Sequence, residues 1–268
     1  MGCSGGQRLQ HGGPQDAFQQ GMTHYDEGDY QEAIRYFRVV LDEYGRGNEW
    51  APQAQFQLAK AQQERGRHLV AANEFQRFTQ LYRNNERVPQ AEYLRALAYY
   101  KRSPMYRLDQ SDTRQAISLF QLFIDRYPDH ENVSDAEQMI EELRAKLAHK
   151  KYAAAQLYEK REMWEATTVT YERVFNLYPE TPWADDALLG AVRSYISYAD
   201  LSIEKKQADR YQKAIEHYQR LTQLFPESPL LSRAEDYYSE AQQKLERVRS
   251  REEGEQSLAQ EGAGGGAK

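Results

Sequence analysis

GDYQEAIRYFRVVLDEYG, residues 28–45, sets a small residue at Ala33, an aromatic four positions later at Phe37 and a second aromatic at Tyr44. Positions i, i+4 and i+11 of a helix share one face, so the three side chains form a single stripe. The stripe returns as Ala71/Phe75/Tyr82, Ala116/Phe120/Tyr127, Thr167/Tyr171/Tyr178 and Ala214/Tyr218/Phe225. Each triplet reads as buried: the small residue lets a partner helix come close, and the aromatics fill the space between hairpins. One hairpin cannot bury such a stripe alone, whereas stacked neighbours can. The chain is therefore expected to be all-α, a solenoid of five helical hairpins.

The punctuation between stripes agrees. Tyr127-Pro128, Tyr178-Pro179 and Phe225-Pro226 stop a helix, as Gly45 does in the first copy. Ser134, Thr181-Pro182 and Ser228-Pro229 read as starts. A small residue then follows each start: Ala54, Ala91, Ala136, Ala187 and Ala234. The stripes begin 38, 45, 51 and 47 residues apart, longer than the period of about 34 in tetratricopeptide repeats. The first copy, with Gly21, Tyr25, Gly28-Asp29-Tyr30, Ala33 and Phe37, nevertheless resembles that repeat closely. The excess is placed in a surface insertion at 101–112 and in a loop or frayed turn at 199–207. A third part goes to one long helix from about Ser134 to Glu162, since no Gly or Pro interrupts 129–178. Leu231–Arg249 reads as a C-terminal capping helix. Residues 1–14 read as a flexible tether, 15–249 as the repeat array and 250–268 as a disordered tail.

The formal net charge of −6 and the absence of a basic stripe argue against a nucleic-acid partner. No apolar run approaches the roughly 20 residues that cross a bilayer. Twenty tyrosines against nine phenylalanines suit a molecule with much exposed amphipathic surface. No catalytic group, cofactor or metal is expected. The six histidines fall in different repeats at no metal-like spacing. His68 takes the helix-start position that Tyr30 and Tyr211 hold elsewhere, so packing explains it better than ligation. Asp109 and Asp112 supply too few oxygens for calcium, and capping by Ser111 or Asp112 explains them better.

The single cysteine, Cys3, lies in Gly2-Cys3-Ser4 ahead of the polar tether and looks like the mature start of a bacterial lipoprotein. On that reading Met1 stands where an apolar signal would be. Two alternatives are an incidental thiol and N-myristoylation at Gly2, the latter weakened by Gly6 where Ser or Thr is wanted. By repeat register, a groove is expected on the first helices of copies one to three. Phe18, Met22 and Tyr25 line it in the first copy, Phe56 and Lys60 in the second, and Tyr93, Leu97, Tyr100 and Lys101 in the third. Phe18 and Met22 stand where cytosolic co-chaperones of this repeat family carry a polar carboxylate clamp. An aromatic groove with nearby lysines instead suits an extended peptide with apolar side chains and a terminal carboxylate. The alternative is that Phe18, Phe56 and Tyr93 belong to the core between repeats.

Beyond the generic repeat, several segments resemble the BamD (YfiO) family of outer-membrane β-barrel assembly lipoproteins. They are 91–96 (AEYLRA), the inserted Asp109-Gln110-Ser111-Asp112, 143–148 (LRAKLA), 158–161 (YEKR) leading to Trp164, and 178–182 (YPETP) with Asp186-Ala187-Leu188. The likeness covers about residues 15–248. It implies a non-enzymatic adaptor anchored through a lipidated Cys3 in the inner leaflet of the outer membrane, facing the periplasm. It further implies that residues 15–102 face the C-terminal signal of unfolded barrel proteins. Residues 134–249 would dock on the POTRA domains of the barrel-assembly protein, beside accessory lipoproteins. A rival within binding proteins is the periplasmic tetratricopeptide adaptor of the Tol–Pal envelope-division system, which shares the Gly-Asp-Tyr-x-x-Ala spacing.

Overall fold

In a computed structural model that describes residues 9–264, the chain is all-α, with eleven helices and no strand among the described residues. They are α1 (Pro14–Asp26), α2 (Tyr30–Asp42), α3 (Ala51–Glu64), α4 (His68–Leu81), α5 (Val88–Arg102) and α6 (Ser111–Arg126). After these come α7 (Val133–Lys160), α8 (Trp164–Leu177), α9 (Ala184–Asp200), α10 (Glu204–Leu224) and α11 (Leu231–Gly264). Tetratricopeptide-like hairpins account for α1 to α10 in consecutive pairs. Cys3 lies outside the described residues.

The chain divides into two compact units at Leu143/Arg144, within α7. In the first unit each of α1 to α5 packs on the next, and Phe37, Phe75, Phe120 and Phe123 are fully buried. The start of α7 adds Ala136 and Leu143 to the core around Phe120. In the second unit α8 packs on α9, α9 on α10 and α10 on α11. There Ala148 and Ala155 of α7 join Tyr171, Val174 and Ala187 in one cluster.

Two of the pairings, α1 with α2 and α8 with α9, place a glycine beneath a ring. A Cβ built on Gly190 would stand 2.6 Å from Cζ of Tyr171, and one on Gly21 would stand 2.7 Å from Cε1 of Phe37. The Tyr171 ring is fixed at its far end, where its hydroxyl donates to Glu159 at 2.7 Å and Glu159 also pairs with Arg193. The starts Ala54, Ala91, Ala136, Ala187 and Ala234 are all fully buried. The stripes are buried only in part. Their first members are buried, but Tyr44 is 36% exposed and Tyr82, Tyr127, Tyr178 and Phe225 are half-buried. These last aromatics lie beyond the helix ends and cover an edge instead of a face. Tyr218 is half-buried too, stacked on Tyr238.

Four of the junctions, those before α3, α5, α7 and α11, share one turn. Asn48 and Asn85 accept the N–H two residues on through Oδ1, and His130 and Ser228 do the same through Nδ1 and Oγ. The carbonyl of the same residue takes the N–H three residues on, which opens the next helix. α7 thus begins at Val133, one residue before Ser134. Helix α11 runs on to Gly264, past the Arg249 end read from composition. Its Glu, Gln and Ala after residue 249 are strong helix formers that need no buried face to propagate an existing helix. At the other end His11, inside the expected tether, bonds Tyr44 Oη at 2.8 Å and lies 3.3 Å from Glu43.

Within hairpins, Gly28 and Gly66 take positive φ after α1 and α3. Gly66 donates to the Gln63 carbonyl and Arg67 to that of Gln62, a Schellman closure. Helix α7 ends the same way, with Glu162 donating to Glu159 and Met163 to Tyr158, but Glu162 sits at φ 56 with a side chain attached. That turn ends α7 at Lys160. Replacing Glu162 by Gly is expected to raise stability by about 1 kcal/mol in urea unfolding; an unchanged or lower value would show that the left-handed turn carries no strain.

Candidate functional site

The residues expected to line a groove in the first unit divide between core and surface. Phe56 is 3% exposed and Tyr93 8%. Phe56 lies edge-on to Phe75 and Phe78, and Tyr93 lies against Phe120 and Phe123. Both are core between helices and present no free face, so the structure corrects their assignment to the groove. The periodicity could not separate the two roles, because the wall of a stacked array and its core use adjacent turns of the same helix.

Phe18, Met22 and Tyr25 stay partly exposed on one flank of α1, packed against the first core cluster. Phe18 sits between Phe37 and Trp50, with ring centroids 5.8 and 5.3 Å away. Tyr25 and Lys60 are brought together: the Lys60 ammonium lies 5.4 Å from the Tyr25 ring centroid. Tyr30 meets the same ring edge-on at 5.3 Å. Burial, then the charges of Glu64, Tyr30 and Asp26, push the Tyr25 phenol up to about 12. It therefore stays a neutral donor at any physiological pH. An aromatic wall with a cation over it can take an apolar side chain and an anionic group side by side.

Tyr100 is half-buried, edge-on to Phe120, and its hydroxyl donates to Glu142. That bond, followed by burial, raises its pKa. Lys101 is exposed at the end of α5. It belongs with His68, whose pKa is lowered by burial first and then by the charges of Lys101 and Arg102. The lysines expected to flank the groove are thus accompanied by carboxylates, Glu64 near Tyr25 and Glu142 on Tyr100. Sequence reasoning missed both, because each meets its tyrosine across helices: Glu64 closes α3 against Tyr25 of α1, and Glu142 lies within α7 against Tyr100 of α5.

The inserted loop between α5 and α6 is ordered by its own side chains. Buried Gln110 donates to the carbonyls of Met105 and Leu108, at 3.0 and 3.1 Å, and accepts from Thr113 at 2.7 Å. Asp112 pairs with Arg102 at 2.9 Å. Asp109, rather than Ser111 or Asp112, accepts the first N–H of α6 at 2.8 Å. No group of three or more metal-ligating side chains occurs among the described residues.

Residues 10–212 match the family described as YfiO, outer membrane lipoprotein. The chain is 27% identical over 177 residues to the outer membrane protein assembly factor BamD of Caulobacter vibrioides, covering 66% of this chain and 58% of that one. Against the BamD of Xylella fastidiosa it is 27% identical over 179 residues, covering 63% and 61%. The chain spans about three fifths of the length of these two relatives. Among solved structures it is similar to a tetratricopeptide-repeat protein of Bacteroides fragilis, with TM-score 0.44 and 13% identity over 89% of this chain and 98% of that one.

The division between core and surface is measurable. Phe56→Ala is expected to cost about 3–5 kcal/mol in denaturant unfolding, and Lys60→Ala to stay within about 0.5 kcal/mol. Comparable losses would contradict the placement of these two side chains.

Proposed function

This chain belongs to the YfiO family of outer membrane lipoproteins, and on that footing we propose that it is a non-enzymatic adaptor in outer-membrane protein assembly. The family match across residues 10–212 carries the reading, since it takes in residues 10–143 of the first unit and reaches into α10 of the second. The same match weighs against the Tol–Pal alternative. On this reading the first unit binds the C-terminal signal of unfolded barrel proteins. Such signals alternate aromatic side chains along a strand and end in a carboxylate. Phe18, Met22 and Tyr25 meet the apolar side chains, and Lys60 and Lys101 supply the cations. The residues from about 134 onward dock on the POTRA domains of the barrel-assembly protein, beside accessory lipoproteins.

Cys3 carries the lipid, and the protein faces the periplasm from the inner leaflet of the outer membrane. No helix among the described residues is long and apolar enough to cross a membrane, and acylation supplies attachment without one. The adaptor then works without turnover chemistry, raising the local concentration of substrate beside the assembly machine.

A fluorescently labelled peptide ending in a barrel signal tests the binding surface. Tyr25→Ala combined with Lys60→Ala is expected to weaken binding by about tenfold or more; unchanged affinity would remove this face from the function. Cys3→Ser is expected to abolish palmitate labelling and release the protein from outer-membrane fractions, and retention there with no label would refute the anchor.

A further inference from the structure

The turn that ends α7 combines three features that the hairpins of the first unit do not share. Its left-handed residue is Glu162, where Gly28 and Gly66 serve without strain. Beside it, apolar side chains stand in solvent: Met163 is 47% exposed and Leu201 73%, with Val169 and Ile203 also exposed. Between them opens a pocket of about 590 Å³ walled by Met163, Trp164, Ala166, Val169, Tyr198 and Leu201, with Glu162 and Glu165 completing its lining. All of these residues belong to the second unit.

The walls are held in place. The Arg210 guanidinium lies 3.4 Å from the centroid of Tyr198. Trp164 opens α8 directly after the turn, and its indole N–H is buried without an acceptor among the described residues. A buried donor left unpaired is costly in a folded protein. Neither Glu162 nor Glu165 has an ion-pair partner among the described residues. Backbone strain, a preformed apolar hollow and two uncompensated carboxylates thus coincide at one place.

We propose that this pocket is the anchor point for a partner polypeptide that inserts a bulky apolar side chain and sets a lysine or arginine against Glu162 and Glu165. The inference deepens the docking role given above to the C-terminal half and rests on that reading. Charge complementarity selects the occupant. The two carboxylates repel an anionic lipid surface and an acidic peptide, and they attract a basic flank. The apolar wall supplies the affinity, with a single large side chain as its focus. Glu162 keeps its strained position because glycine would remove the carboxylate from the wall.

The test uses the full chain and a labelled 11-residue peptide carrying Leu-Phe-Leu at its centre and two lysines on each side. A control peptide has glutamate in place of each lysine. Fluorescence anisotropy is expected to show the lysine peptide binding about tenfold tighter than its control. Glu162→Gln with Glu165→Gln is expected to bring the two within about twofold. Val169→Glu, at an exposed position, is expected to abolish binding with the circular-dichroism melt unchanged, and Leu201→Glu to do the same. Neither variant is expected to alter binding of the barrel-signal peptide by the first unit, and failure of the unsubstituted chain to bind that peptide would count against the groove and leave the pocket standing. Absent or equal binding of the two peptides would overturn the proposal, as would binding that survives Val169→Glu. Concentration-dependent sedimentation that Val169→Glu abolishes would assign the pocket to a second copy of the chain and overturn it equally.

Discussion

Everything in this fold depends on how closely two neighbouring helices can approach. The rings of Phe37 and Tyr171 lie directly over Gly21 and Gly190, at distances a methyl group could not share. That contact sets the spacing of the pair, and the spacing decides where the next hairpin finds its seat. Fully buried alanines at 54, 91, 136, 187 and 234 receive the following layer. Since the packing is close and largely apolar, each hairpin is stable only with a neighbour on its open side. The proposed adaptor role builds on this property. An array held by its interior is free to vary the side chains that point outward.

Polar groups complete the array where apolar packing cannot. At four of the junctions a side-chain acceptor and its own carbonyl capture the first N–H groups of the next helix. In the second unit Glu159 gathers Tyr171 and Arg193, and Glu172 accepts from Tyr195 while facing His217 at 3.0 Å. The His217 hydrogen bond is the largest of the effects that lower the Glu172 pKa. Buried Tyr171 and half-buried Tyr195 act as posts in this scheme, each with its ring packed inside and its hydroxyl on a carboxylate. The high tyrosine content therefore reflects construction as much as recognition.

Much of this was legible in the residues. The stripes announced five hairpins, the Tyr-Pro and Phe-Pro pairs marked helix ends, and the run without Gly or Pro foretold α7 to within two residues at its C-terminus. Illegible features had physical reasons. Glu162 adopts a glycine-like turn with no glycine to mark it, so α7 was read as reaching that residue. Phe56 and Tyr93 occupy the same register as Phe18, yet only Phe18 has an open side, because the two inner hairpins have neighbours on both flanks. The glutamates near Tyr25 and Tyr100 arrive through tertiary contact, which spacing along one helix does not report. The pocket beside Trp164 was invisible for the same reason, being assembled from α8, the end of α9 and the turn before them.

The central claim is that an extended polypeptide with an aromatic terminus lies against the face of the first unit that carries Tyr25 and Lys60. Amide hydrogen exchange of the full chain, with and without saturating barrel-signal peptide, addresses it most directly. The account predicts added protection concentrated in α1 and α3, around Met22–Tyr25 and Lys60, with the second unit unchanged. Protection confined to α8 to α11, or none anywhere at saturation, would contradict it.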